Sequence, residues 1–330
     1  MRIADVFVAI RADPTEFNAA IRGLDQNLKN VSRNLGQIGS AMTRNITLPI
    51  VALAGGTSKF ALDFERTMGQ LVGLAGVSKG SIDGLRDSIF ELSRETGKGP
   101  QDLAEAFYFV ASAGFEAEEA MEVLEVAARS SAAGMGETQD IARVLGQVIN
   151  TYGKENIDAA RAADILTAAV AEGSAEADDF AAALPTVIGS AAQLDVSFEQ
   201  LLGTVAALSI TSKDARQATV GLNQVFTTLI NPTTKTADAL SEVDLSAAQL
   251  RDMLADPAQG PIAVLRLLED RFGGNVEAMG EVFGNVRALR AAFSLLNLDA
   301  GQLDEIMGNV ADSVGANADA FGAIPEDVLA

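Results

Sequence analysis

The sequence predicts an all-α protein: a multi-helix body of helical hairpins, preceded by a short N-terminal strand and a heptad helix of coiled-coil character. Three observations carry this expectation. Apolar residues recur at three- and four-residue spacings along most of the 330 residues. Residues that start and stop helices punctuate that pattern. Beyond the first ten residues, no stretch alternates apolar and polar side chains as a half-buried strand would.

Ile3 to Ile10, rich in Val, Ile and Phe, reads as the short strand. Asp13–Pro14–Thr15–Glu16 follows, with Asp as N-cap, Pro suited to the first helical position and Glu able to close a capping box. In the helix opened there, Phe17, Ile21, Leu24, Leu28, Val31, Leu35, Ile38 and Met42 alternate at spacings of four and three. An a/d pattern sustained this long is that of a self-association seam. It competes with an ordinary amphipathic helix docked on its own domain, and a seam could be closed by the same chain or by identical chains side by side. Gly23, Gly36 and Gly39 weaken the helix, each by up to about 1 kcal/mol relative to Ala.

The stretch Thr43–Phe60 raises three readings. It is not a phosphate loop, because G-x-x-x-x-G-K-[ST] needs Lys directly after the second glycine and Ala54–Gly55–Gly56–Thr57–Ser58–Lys59 does not supply that order. The apolar run Ile46–Gly56 falls short of the ~20 residues of a membrane-spanning helix. With Pro49 and Gly55–Gly56 it reads as a joint between the heptad helix and the body. Ile46, Leu48, Ile50, Val51 and Leu53 remain a candidate membrane-active segment in a triggered state.

From Phe60 onward helix follows helix. Pro100 opens one with Leu103, Phe107 and Val110 on its apolar face. Ile141, Val144, Leu145 and Val148 form the next stripe, closed by Gly153. Pro185 should break a helical stretch. Ser197-x-x-Gln200 forms a capping box before Leu201, Val205 and Leu208. Leu222, Val225, Phe226 and Leu229 end at Asn231–Pro232. Gln101–Phe115 also aligns weakly with Asp178–Ala192, each followed by a second helix, which suggests a repeated helical hairpin.

Asp256–Pro257 and Gly260–Pro261 punctuate a linker before Ile262, Leu265 and Leu268. A helix over Glu281–Leu296 should place Val282, Val286, Leu289 and Phe293 on one face, flanked by Arg287 and Arg290 paired with acids. The Gly-rich acidic tail from Asp299 reads as weakly ordered. The organisation expected is a strand, heptad helix and joint over 1–59, an Ala-rich hairpin core over 60–232, and a helical part with the acidic tail over 233–330.

The chain has no Cys, His or Trp. That removes disulfides, thiolate nucleophiles, zinc–thiolate sites and the commonest general base. Glu118, Glu119, Glu122 and Glu125 cluster on one helix, but without a partnering E-x-x-H they read as a solvated face. No residue is assigned to catalysis, to a cofactor or to a metal. The net charge of −21 is uneven: residues 1–60 hold seven basic and four acidic side chains, and after Arg290 seven acids follow without a single base. So acidic a body repels nucleic acid and anionic lipid, which argues against sequence-specific nucleic-acid binding. The mildly basic N-terminal end suits an acidic partner, such as another copy's body. With Asp5, Arg11 and Asp13 near the start there is no signal-peptide core, so the chain is expected in the cytosol when made.

The order Thr47–Leu48–Pro49–Ile50, Asp63–Phe64–Glu65 with Met68, Leu85–Thr96, the helix-turn-helix LAEAFYFVASAGFEAEEAMEVLEVAARSSAAG and finally VFGNVRALRAAFSLL resembles the core of tail tape-measure proteins of long-tailed bacteriophages. The resemblance covers roughly residues 15 to 300. It implies a structural, non-enzymatic protein lying as several parallel copies in the lumen of the virion tail, after assembly in the host cytoplasm. It further implies that such a protein sets tail length and leaves through the tube at infection to assist genome delivery. The partners implied are the protein itself, tail tube and tail-tip proteins, tail assembly chaperones and the host membrane. A compact body departs from the extension a ruler needs, since a helix rises only ~1.5 Å per residue. The readings of a different class are a soluble helical scaffold or adaptor that binds a protein partner, and a membrane-active helical protein.

Overall fold

The computed structural model describes residues 56–73, 78, 81–212, 214–325 and 329. The expected N-terminal strand, the heptad helix and the apolar segment 46–53 lie outside the described residues. The chain divides into two units, Met1–Lys59 and Phe60–Ala330, and the helical body is the second. The described residues form seventeen helices and no strand, so the body is all-α as expected.

Local sequence explains where each helix begins and ends. α1 (Gly56–Gly73) and α2 (Ile82–Thr96) precede α3 (Pro100–Ser112), which carries Pro100 in its first turn. α4 spans Ala117–Ala132 and α5 Thr138–Tyr152, the latter ending at Gly153, whose φ of 89° is open to glycine and strained for other residues. α6 (Ala159–Glu172) is capped by Asp158, whose Oδ1 accepts from the Arg161 N–H at 2.7 Å. Pro185 separates α7 (Ala177–Ala183) from α8 (Pro185–Gln193), as its missing N–H demands. The Ser197–Gln200 capping box opens α9 (Phe198–Ser212): Ser197 Oγ accepts from Gln200 N–H at 3.2 Å and Gln200 Oε1 accepts from Ser197 N–H at 3.4 Å. α10 (Ala215–Ile230) starts on Asp214 and stops at Asn231–Pro232.

Polar caps continue through the last third. Thr233 caps α11 (Thr234–Ser241), Ser246 and Gln249 box the start of α12 (Ala247–Ala255), and α13 spans Gly260–Phe272. Asn275 caps α14 (Val276–Phe283), Asn285 caps α15 (Val286–Leu296) and Asp299 caps α16 (Ala300–Ala311) before α17 (Ala316–Gly322). Two expectations are corrected by these helices. Glu281–Leu296 is not one helix: Gly284, at φ 58°, ends α14, and the Asn285 side chain restarts the chain as α15. Consequently Val282 is buried in α14 while Val286 is 72% exposed in α15, whose buried stripe is Ala288, Ala291, Ala292 and Leu295. The stretch 299–325 is not weakly ordered either, since it forms α16 and α17 and buries Leu303, Ile306 and Val310.

The core is organised around α9. The sequence marks one apolar face there, yet every residue from Gln200 to Ser209 is buried. A helix that is apolar all round belongs inside, and α9 packs against α6, α8, α10, α13, α15 and α16. Phe107, Phe180, Phe198 and Phe226 are all buried, each stabilising the fold by about 1.5–3 kcal/mol relative to exposure. Small residues let helices approach closely: a Cβ on Gly221 of α10 would lie 2.8 Å from Ala291 Cβ on α15. Of the two stretches that align weakly in sequence, Gln101–Phe115 begins with the unbroken α3, whereas Pro185 splits Asp178–Ala192 into α7 and α8.

Candidate functional site

Three surfaces of the body carry its distinctive chemistry. The first is a polar strap that fastens the C-terminal helices. Arg161 on α6 donates through Nη2 to the Ala311 carbonyl at 2.8 Å and through Nη1 to Ser313 Oγ at 3.1 Å, and its Nη2 also meets Glu199 Oε1 at 3.1 Å. One turn on, Asp164 accepts the backbone N–H groups of Gly315 at 2.8 Å and Asn317 at 2.9 Å. A carboxylate from α6 thus serves the N-terminal end of α17, where the positive helix terminus favours it. Asn317, only 7% exposed, accepts through Oδ1 from Ser130 Oγ at 2.8 Å, and Asn309 Nδ2 donates to Glu172 at 2.8 Å. Asn317 is the one residue that α17 buries, so hydrogen bonds help hold this helix, together with the half-buried Phe321, whose ring centroid lies 5.9 Å from the Arg129 guanidinium.

The second is a groove of about 340 Å³ between α3 and α5, lined by Phe109, Val110, Ala142, Arg143, Gly146 and Asn150 among others. Phe109 is 37% exposed, and the Arg143 guanidinium lies 5.2 Å from its ring centroid while pairing with Asp140 at 2.8 Å. Nothing in this lining supplies a nucleophile with an adjacent base.

The third is the outer face of α15. Opposite its buried alanines stand Val286, Arg290 and Phe293, with Leu289 and Arg287 at the flanks. The sequence expectation that Arg287 and Arg290 pair with acids is corrected: both are exposed, and neither belongs to an ion pair among the described residues.

In the acidic cluster on α4, Glu119 and Glu125 are paired while Glu118 and Glu122 stand exposed. Glu119 accepts the Glu116 N–H at 3.4 Å at the helix start and Lys154 Nζ at 2.6 Å, while Glu125 pairs with Arg129 at 2.7 Å. The Lys154 hydrogen bond holds the Glu119 carboxyl below its ordinary range, and the same bond raises Lys154. Among the described residues no group of three or more acids could hold a metal, and no helix is long and apolar enough to cross a membrane. The predicted seam residues Phe17, Ile21, Leu24, Leu28, Val31, Leu35, Ile38 and Met42, and the segment Ile46, Leu48, Ile50, Val51 and Leu53, lie outside the described residues. Reasoning from sequence missed the Arg161–Asp164–Asn317 strap. Its signal is a charged pair three residues apart inside the otherwise Ala-rich AARAADILTAAV, where two charges on one face call for partners.

The model of the phage-related minor tail protein family matches residues 86–284, from the second turn of α2 to the turn between α14 and α15. The chain belongs to that family. Its relatives among curated proteins agree with this. Over 84% of its length the chain is 22% identical to the tape measure protein of Pneumococcus phage Dp-1, covering 24% of that protein. Over 96% it is 22% identical to a probable tape measure protein of Clostridium phage phiCD119, covering 34%. Over 99% it is 23% identical to the probable tape measure protein of Escherichia phage P2, covering 40%. The chain therefore spans between about a quarter and two fifths of the length of these relatives. No solved structure matches it. The family assignment makes the body a structural component of a phage tail.

Proposed function

We propose that this chain serves as part of a tape measure that sets tail length during assembly in the host cytoplasm, and that leaves through the tail tube to assist genome delivery. The observation that carries the reading is the alignment of nearly the whole chain with three proteins named as tape measures, each much longer than the chain itself. Several parallel copies associate in the tail lumen through the heptad seam Phe17 to Met42, and the strand before it belongs to the same N-terminal module. Tail assembly chaperones cover the chain before the tube forms around it, and tube and tail-tip proteins contact it afterwards. The segment Ile46 to Leu53 engages the host membrane after ejection. A structural role without catalysis also accords with the absence of Cys and His from the chain.

The test is a change of ruler length in the phage that encodes the chain. Inserting helical heptads in frame after Ala330 should lengthen the tail by about 1.5 Å per added residue, as seen by electron microscopy of purified virions. Tails of unchanged length would overturn the ruler reading.

A further inference from the structure

The face of α15 and the helices that follow it are opposite in charge, and neither side has an ion-pair partner among the described residues. On α15, Arg287 and Arg290 are exposed beside Val286, with Leu289 and Phe293 only partly covered. On α16 and α17 the exposed charges Asp304, Glu305, Asp312 and Asp319 are all acidic, and Val314 between the helices is 81% exposed. Among the described residues none of these six charges joins a salt bridge; every ion-paired cation there lies at or before Arg161. All seven described basic side chains after Arg161 lack an ion pair among the described residues, and on α15 two of them stand beside Val286, which is 72% exposed. Such a combination of arginine and apolar anchors is what contact surfaces are enriched in.

We infer that the outer face of α15 docks on the acidic α16–α17 surface of a second copy of the chain. Charge complementarity selects this occupant: the surface that answers two arginines flanking an apolar stripe is an acidic one bearing an apolar residue, and α16–α17 of another copy offers that. The contact is heterologous, since the two faces differ, so one copy can give its cationic face to a neighbour while its acidic face stays open to the next. It concerns a surface separate from the heptad seam, although it rests on the proposal that copies of this chain associate.

Sedimentation velocity of the full chain across a concentration series, at low and at 0.5 M salt, tests the inference. Arg287→Glu with Arg290→Glu should weaken association at least tenfold, and so should Asp304→Lys with Glu305→Lys. An equimolar mixture of the two variants should recover association that neither shows alone, and high salt should weaken the wild-type contact because exposed charges are screened within a few ångströms at that strength. Circular dichroism verifies that each variant is folded. Leu24→Asp with Leu28→Asp separates the two readings, because the α15 contact survives it while a seam does not. Loss of association in that variant alone, with both charge-reversal variants unaffected, would overturn the α15 contact and leave the seam standing. A monomeric wild-type chain at all concentrations would overturn both. Weakening by the arginine changes but not by the acid changes would overturn α16–α17 as the surface on which α15 docks.

Discussion

The substitution Gly221→Ala tests how closely α10 and α15 are joined. A Cβ at position 221 would stand 2.8 Å from Ala291 Cβ and 3.3 Å from the Arg287 carbonyl oxygen. Carbon atoms settle at about 3.5–4.0 Å, so the approach to Ala291 falls short by on the order of 1 Å. Neither neighbour is the end of a flexible side chain, so the helices themselves must separate. Overpacking of this kind costs about 1–3 kcal/mol, against which replacing a helical glycine by alanine gains about 0.5–1 kcal/mol. The net expectation is a destabilisation of up to about 2.5 kcal/mol. Gly189 of α8 is the matched control, for a Cβ there meets nothing within 4 Å. Gly189→Ala should therefore stabilise by about 0.5–1 kcal/mol. Urea unfolding followed by circular dichroism compares the midpoints at constant slope. Adding Ala291→Gly to Gly221→Ala removes the closest contact, and a double-mutant cycle should show coupling above about 0.5 kcal/mol. If Gly221→Ala raises the midpoint as much as Gly189→Ala does, the close packing of α10 on α15 is refuted.

Asp164→Ala strips the acceptor from the Gly315 and Asn317 N–H groups; it should cost about 1–2 kcal/mol, like the loss of a helix cap, and speed amide exchange across 312–325 while α9 stays protected. Phe226→Ala empties a fully buried site in α10 and should destabilise by about 3–5 kcal/mol in the same urea assay. The Glu119 carboxyl should titrate below its ordinary value of 4.5 in a carbon-detected NMR titration, and Lys154→Ala should move it back upward. Because folding lowers that value, any contribution is complete above the ordinary carboxylate range and disappears as pH falls through the lowered one. The same sign holds for Asp214 and Asp256, each held low by hydrogen bonds at a helix start or turn.

Much of the body was legible because helix boundaries are written in local chemistry. Pro100, Gly153, Pro185, Ser197–Gln200 and Asn231–Pro232 each act through a missing N–H, a positive φ or a side-chain cap, and each falls at an end or break of a helix. What sequence could not supply were relations between distant residues. The stripe Val282–Val286–Leu289–Phe293 assumed one unbroken helix, but Gly284 rotates α15 relative to α14, so the covered face became alanines. Alanine burial leaves little mark in an Ala-rich chain, which is why the α9 core read as one-sided. The tail was misjudged because its anchors are polar: composition suggests solvation, whereas Asn317 is buried by bonds to Ser130 and Asp164 far away in sequence. Arg287 and Arg290 showed the reverse failure, as an acidic composition suggested neutralising partners and none pairs with them among the described residues.

A compact body also bears on how a tape measure could be built. Drawn out as continuous helix, the roughly 270 residues from Phe60 onward would reach about 400 Å. Folded as one domain, they have a radius of gyration of about 18 Å. The same residues thus differ by about an order of magnitude in reach between the two states. With α9 buried all round and α16 returning to pack on it, shortening a helix here removes core contacts before it removes length. Under the proposed role, length per residue must then come from chain outside this body, and the relatives, two and a half to four times longer than the portion matched, have room for it. The body is then an attachment fitting and not the graduated part of the ruler. On that proposed reading, the stability of the body bears on function at the step where it would have to unfold or pass intact through a tube.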